Sequence, residues 1–154
     1  MSDNFVTNPG VGGATFASDD VGGIQFPRIK RSVGRDSQAA DVATPFKLIS
    51  GASTNATLVK NAPGCITAIV VTNTNAAPRY LKLYNKATAP TVGTDAPAWT
   101  ICIPGSTAGG GAVIALDPAL DFSLGIGIGL TTGAADTDTG AVAANEIVVN
   151  LGYV

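Results

Sequence analysis

The chain has 154 residues, with 9 Lys and Arg against 11 Asp and Glu, no His, and a hydrophobic share of 45%. That length suits one domain with an appendage. The apolar share is too high for a disordered chain, while 19 glycines and 9 prolines punctuate it too often for long helices. The near-even charge balance offers no concentrated positive face for nucleic acid, and without His any nucleophile would lack its usual base, so an enzyme is not expected.

Residues 1–44 are expected to form an extended N-terminal arm. The opening Met1-Ser2-Asp3-Asn4 has neither a basic region nor an apolar run, so no secretory signal is expected and synthesis in a cytoplasm follows. The arm's apolar residues, Phe5, Val11, Phe16, Val21, Ile24, Phe26, Ile29 and Val33, are spread among glycines and cannot enclose a core of their own. Within it, Val21, Ile24, Phe26 and Ile29 are interleaved with Arg28, Lys30, Arg31 and Arg35. Such a run suits a partner surface, where the apolar side chains fill pockets and the basic ones meet acidic residues. Strand addition to a foreign sheet edge is the expected route; a solvated segment, or one folded back on its own domain, is the alternative.

Residues 45–154 repeat a short apolar, β-branched run closed by Gly, Pro, Asn or Thr, the rhythm of an antiparallel β-sandwich. Strands are expected at Phe46–Ser50, Ala56–Lys60, Cys65–Thr72, Tyr80–Tyr84, Trp99–Ile103, Gly110–Leu116, Leu124–Leu130 and Glu146–Tyr153. Cys65–Thr72 is apolar or small on both faces, as in a central strand covered twice. In Tyr80–Tyr84, Leu81 and Leu83 are expected to face the core and Tyr80, Lys82 and Tyr84 the surface. Asp117-Pro118 is expected to end its strand, because proline removes a ladder donor. The apolar run Leu124–Leu130 is about a third of a bilayer span, so no membrane crossing is expected.

Leu124–Leu130 alternates large aliphatics with Gly125, Gly127 and Gly129, leaving one face as bare backbone. Strand glycine marks close approach of another group, either a packed neighbour in the same domain or a second subunit. Tyr80, Tyr84 and Trp99 are candidates for the same oligomer contact, as an aromatic rim, or for a platform on which a sugar stacks. Residues 131–145 are expected to be a surface loop; its Asp136-Thr137-Asp138 departs from a calcium loop in both its glycine and its closing acid, so a plain polar loop is favoured and no metal is expected. Asp117 and Asp121 read as turn caps. Cys65 and Cys102, set among aliphatics, read as buried thiols, with a bridge the lesser alternative.

The runs Pro45–Ser50, Thr54–Lys60, Arg79–Ala87, Ala89–Asp95, Thr132–Asp138 and Val142–Ala144 resemble a β-sandwich module of virion proteins of tailed bacteriophages, and Thr15–Arg28 is similar to segments that precede it. The resemblance implies a jelly-roll-like structural protein without cofactor. On the head it would be a cement or decoration protein, a homotrimer on the outer shell with its arm across the major capsid protein. On the tail it would be a fibre or baseplate piece that binds a host glycan.

Overall fold

The structure is a computed structural model; it describes residues 43–154 throughout and, before them, the strands β1 (Asn4–Val6), β2 (Thr15–Val21) and β3 (Ile24–Pro27). The chain divides into two compact units, Met1–Ala39 and Ala40–Val154. In the first, β1, β2 and β3 pair in order as an antiparallel sheet, with Phe5 opposite Phe16 and Val21 opposite Ile24. Of the expected partner-binding residues, Val21, Ile24 and Phe26 fall on these strands, whereas Arg28, Ile29, Lys30, Arg31 and Arg35 lie outside the described residues.

The second unit is all-β and antiparallel, built from β4 (Thr44–Ile49), β5 (Thr57–Lys60), β6 (Gly64–Asn73), β7 (Arg79–Asn85), β8 (Trp99–Ile103), β9 (Gly110–Phe122), β10 (Ile126–Thr131) and β11 (Ile147–Tyr153). One sheet has the order β4-β11-β6-β9 and the other β5-β10-β7-β8. First pairs with last, β5 with β10, β6 with β9 and β7 with β8. Those nested pairs are one long antiparallel ribbon rolled into two layers, the jelly-roll arrangement.

Period-2 alternation selects the core. Ile126, Ile128 and Leu130 from β10, Leu81 and Leu83 from β7, and Ile147, Val149 and Leu151 from β11 all lie within 3% of full burial. Phe46, Leu48, Ala112 and Ile114 close the same space from the edge strands β4 and β9. Turns are set locally: Asn55, at φ 50°, ties the Gly51–Asn55 loop by accepting from Gly51 N and donating to the carbonyls of Gly51 and Ser53.

Two expectations change. β6 is not covered on both faces: a register shift between Ile66 and Ala68 brings Ile66 onto the buried side with Ile69 and Val71, while Val70 is 39% exposed. The strand buried at every position is instead β10. Nor does Asp117-Pro118 end its strand. β9 continues to Phe122, since an edge strand has one side without partners and β6 pairs on only up to Ala115 before resuming at Leu120.

Candidate interaction surfaces

The two sheets differ in what covers them. On the outside of β5-β10-β7-β8, residues 86–98 and 132–146 lie over the strands, so Lys82 is 0% and Tyr84 1% exposed. Tyr84 stands opposite Gly127, and Lys82 opposite Gly129. A β-carbon at Gly127 would come within 3.1 Å of Pro90 Cδ; one at Gly129 would lie 2.7 Å from Val92 Cγ2 and 3.4 Å from the Tyr84 ring. At Gly125 the obstacles are the carbonyls of Lys60 and Lys86. The bare glycine face therefore receives the chain's own loop and its own tyrosine. Gly125, Gly127, Gly129 and Tyr84 are interior positions, which corrects the expectation that they meet a second subunit, and Lys82 and Tyr84 are not surface residues.

Residues 132–146 are held over the sheet by polar contacts from below. Lys82 Nζ donates to the carbonyls of Ala135 at 2.6 Å and of Asp136 and Asp138 at 3.3 Å each. Asp138 Oδ1 in turn accepts from the backbone amides of Gly133 and Gly140. The stretch that distantly resembled a cation loop is thus folded around an ammonium. Val142, 2% exposed, anchors the same segment in the core, while most of its other residues are exposed, as expected of a surface loop.

A second buried network pins the entry to β11. Arg79 Nε lies 2.7 Å from Glu146 Oε1 but off the N–H axis, a contact of charge more than an aligned hydrogen bond. Glu146 Oε2 accepts from Ala143 N. Ser50 Oγ accepts from the amides of Glu146 and Ile147 and donates to the Ala143 carbonyl. Neither Ser50 nor Glu146 was singled out as buried by sequence, because Ser and Glu ordinarily mark turns and solvent.

Tyr84 Oη is enclosed without a hydrogen-bond partner among the described residues, and burial, then the charges of Asp95 and Asp136, push its phenol up to about 12. Raised in the folded state, this group contributes stability that is complete below about pH 10, the ordinary phenol value, and is lost as pH climbs through about 12. Absorbance titration should show a tyrosinate signal near that pH that Tyr84→Phe abolishes, with the alkaline melting transition moved upward in the variant. Loss of the signal at pH 10 to 11 would refute the enclosure. Nearby, Lys86 bonds Asp95, and with the Thr91 amide holds that carboxyl below the usual range.

The aromatic set divides. Trp99 pairs with Leu83 and so shares its core-facing side at the sheet margin, 42% exposed; Tyr80 pairs with Cys102 and belongs to the outer side. Tyr80, Tyr84 and Trp99 therefore do not form one platform. Cys65 and Cys102 are free thiols in different sheets, the first half-buried and the second exposed, which corrects their reading as buried. The Cys65 thiol donates to Asp121 Oδ1 at 3.4 Å and is raised by burial and by that carboxylate, an unreactive state.

Within the sandwich unit, no loop among the described residues lies over the outside of β4-β11-β6-β9 in this way. Ile49 is 50%, Val70 39% and Val113 78% exposed there, and Pro45, Ala68, Val70, Asn150 and Gly152 border a shallow apolar groove. Sequence alternation missed this face because Val and Ile outside read the same as Val and Ile inside. No helix among the described residues is long and apolar enough to cross a membrane. No protein family, curated protein or solved structure matches the chain.

Proposed function

We propose that this protein is a structural component of a bacteriophage particle, a cement or decoration protein of the head. The sandwich is the body, a homotrimer on the outer shell, and the N-terminal arm docks on the major capsid protein through Val21, Ile24, Phe26 and Ile29 with Arg28, Lys30, Arg31 and Arg35. The observation that carries the reading is a rolled jelly-roll body whose buried polar groups are spent on holding its own loops, preceded by a separate unit, Met1–Ala39. Jelly rolls recur in viral shells and in lectins, so the fold alone favours neither chemistry over the other; the resemblance of the sequence tips it to the shell. A protein that binds only the assembled lattice stabilises it by mass action, and several arms on one oligomer act together.

Removing residues 1–42, which leaves β4 whole, should give a folded protein with an unchanged melting temperature that no longer binds purified phage heads. Full occupancy by the truncated chain would remove the arm from the mechanism. The competing reading, a tail component that binds a host glycan, draws support from the exposed ring of Trp99. It expects glycan-array binding lost in Trp99→Ala, and label at the tail instead of the head in micrographs of virions.

A further inference from the structure

We infer that the outer face of β4-β11-β6-β9 is a self-association surface, occupied by the same face of a second copy. The register fixes its composition. Ile49, Val148, Thr72 and Gly111 lie in one row across the four strands, Lys47, Asn150, Val70 and Val113 in the next, and Pro45, Gly152, Ala68 and Ala115 in the third.

Charge argues against most other occupants. Lys47 is the only charged residue in these rows, and it stands on an edge strand, where its ammonium reaches water while its stem stays on the sheet. An acidic or basic partner would leave its own charges without counterparts, so the mate must be flat and apolar. The chain carries such a surface in this face itself, and Gly111, Gly152, Ala68 and Ala115 leave room for a second sheet at about 10 Å.

Shape is also self-complementary. A two-fold axis parallel to the strands lays β9 of one copy across β4 of the other. Val113, the most protruding apolar residue at 78% exposed, then meets the groove bordered by Pro45, Ala68 and Gly152 beside the Lys47 stem, and the same fit occurs twice. Four strands about 4.8 Å apart and seven residues of about 3.3 Å give roughly 450 Å² of face in projection. A stacked pair therefore buries about 1,000 Å², at the lower bound for a specific interface, and the pairing is weak and concentration-dependent.

The inference concerns the chain free in solution, whereas the homotrimer of the proposed capsid role assembles on the shell, so either can fail without the other. Sedimentation velocity on the full chain, from about 1 to about 200 μM, should show a monomer–dimer equilibrium in the micromolar range. Val113→Asp and Val70→Asp, each checked for an unchanged melting temperature, should weaken it by about tenfold or more. Leu124→Asp, at a position 58% exposed outside these rows, should not. A chain that stays monomeric throughout, an association indifferent to both Asp variants, or a trimer that depends on them, which would require unlike faces in contact, each overturns the pairing.

Discussion

Lys82→Met is expected to lower stability by about 2–4 kcal/mol and to release residues 132–146 from the sheet while both sheets persist. Methionine nearly keeps the length and apolar volume of the lysine stem, so packing changes little. What is lost is a fully buried ammonium shared by three backbone carbonyls, those of Ala135, Asp136 and Asp138. Burial of that charge has a desolvation cost that the carbonyls offset. Once the ammonium is gone they face a thioether that cannot donate, and an enclosed acceptor without a donor costs about 1–3 kcal/mol. The segment can recover part of this by opening to water. Denaturant midpoints give the first number, and hydrogen exchange at Thr132, Asp138 and Gly140, whose amides bond within the segment, gives the second. An unchanged midpoint with unchanged exchange would mean that the carbonyl cradle does not hold the segment down.

The same residue explains where sequence reading stopped. All eight strands of the sandwich were visible, because short β-branched runs bounded by Gly, Pro and Asn have few other solutions, and the core faces of β7, β10 and β11 followed from alternation. Alternation separates two faces but does not say what lies outside. Tyr80, Lys82 and Tyr84 therefore read as a wet face, when two of them are sealed by the loop that follows β7 and by residues 132–146, far along the chain. A signal was present in Gly127 and Gly129, which flank Tyr84 and Lys82 across the ladder. Small residues beside a large ring show that the ring lies down on the sheet, which needs something on top of it. The converse error concerns Val70, Val113 and Ile49, apolar yet exposed. Composition could not tell an open sheet face from a closed one, and the bulge near Thr67 shifted the phase of β6 without leaving a mark in the sequence.

Local chemistry also misled where a residue's common use differs from its use here. Pro118 suggested a strand end, yet β9 is an edge strand whose missing donor falls between two stretches of pairing. Asp136 to Asp138 lie at the surface as expected, yet their backbone carbonyls bond Lys82 and the Asp138 carboxylate bonds the amides of Gly133 and Gly140, so the acidic run serves the fold. The arm presents the opposite case. Its apolar and basic residues are plain in the sequence, while the positions with the densest charge, Arg28 to Arg35, fall outside the described residues.

The second large effect is expected at Glu146. Its side chain is 4% exposed and that of Arg79 14%, so Glu146→Ala leaves a guanidinium with little access to water and no counter-charge. It also deprives Ala143 N of its acceptor. Breaking one side of such a pair costs about 3–5 kcal/mol, much more than the net worth of the pair, because the remaining charge has already lost its hydration. The loss should reach further than the pair: Glu146 N and its carbonyl join Ser50 and Thr74, so the turn into β11 and the ends of β4 and β6 share the contact. Arg79→Met together with Glu146→Leu should recover most of the stability lost in Arg79→Met alone or in Glu146→Leu alone, since an apolar pair needs no counter-charge. Urea midpoints of the four proteins close the cycle. If Glu146→Ala stays within about 1 kcal/mol of the parent, or if the double variant is as unstable as the two single losses added together, the buried pair is not what fixes the start of the last strand.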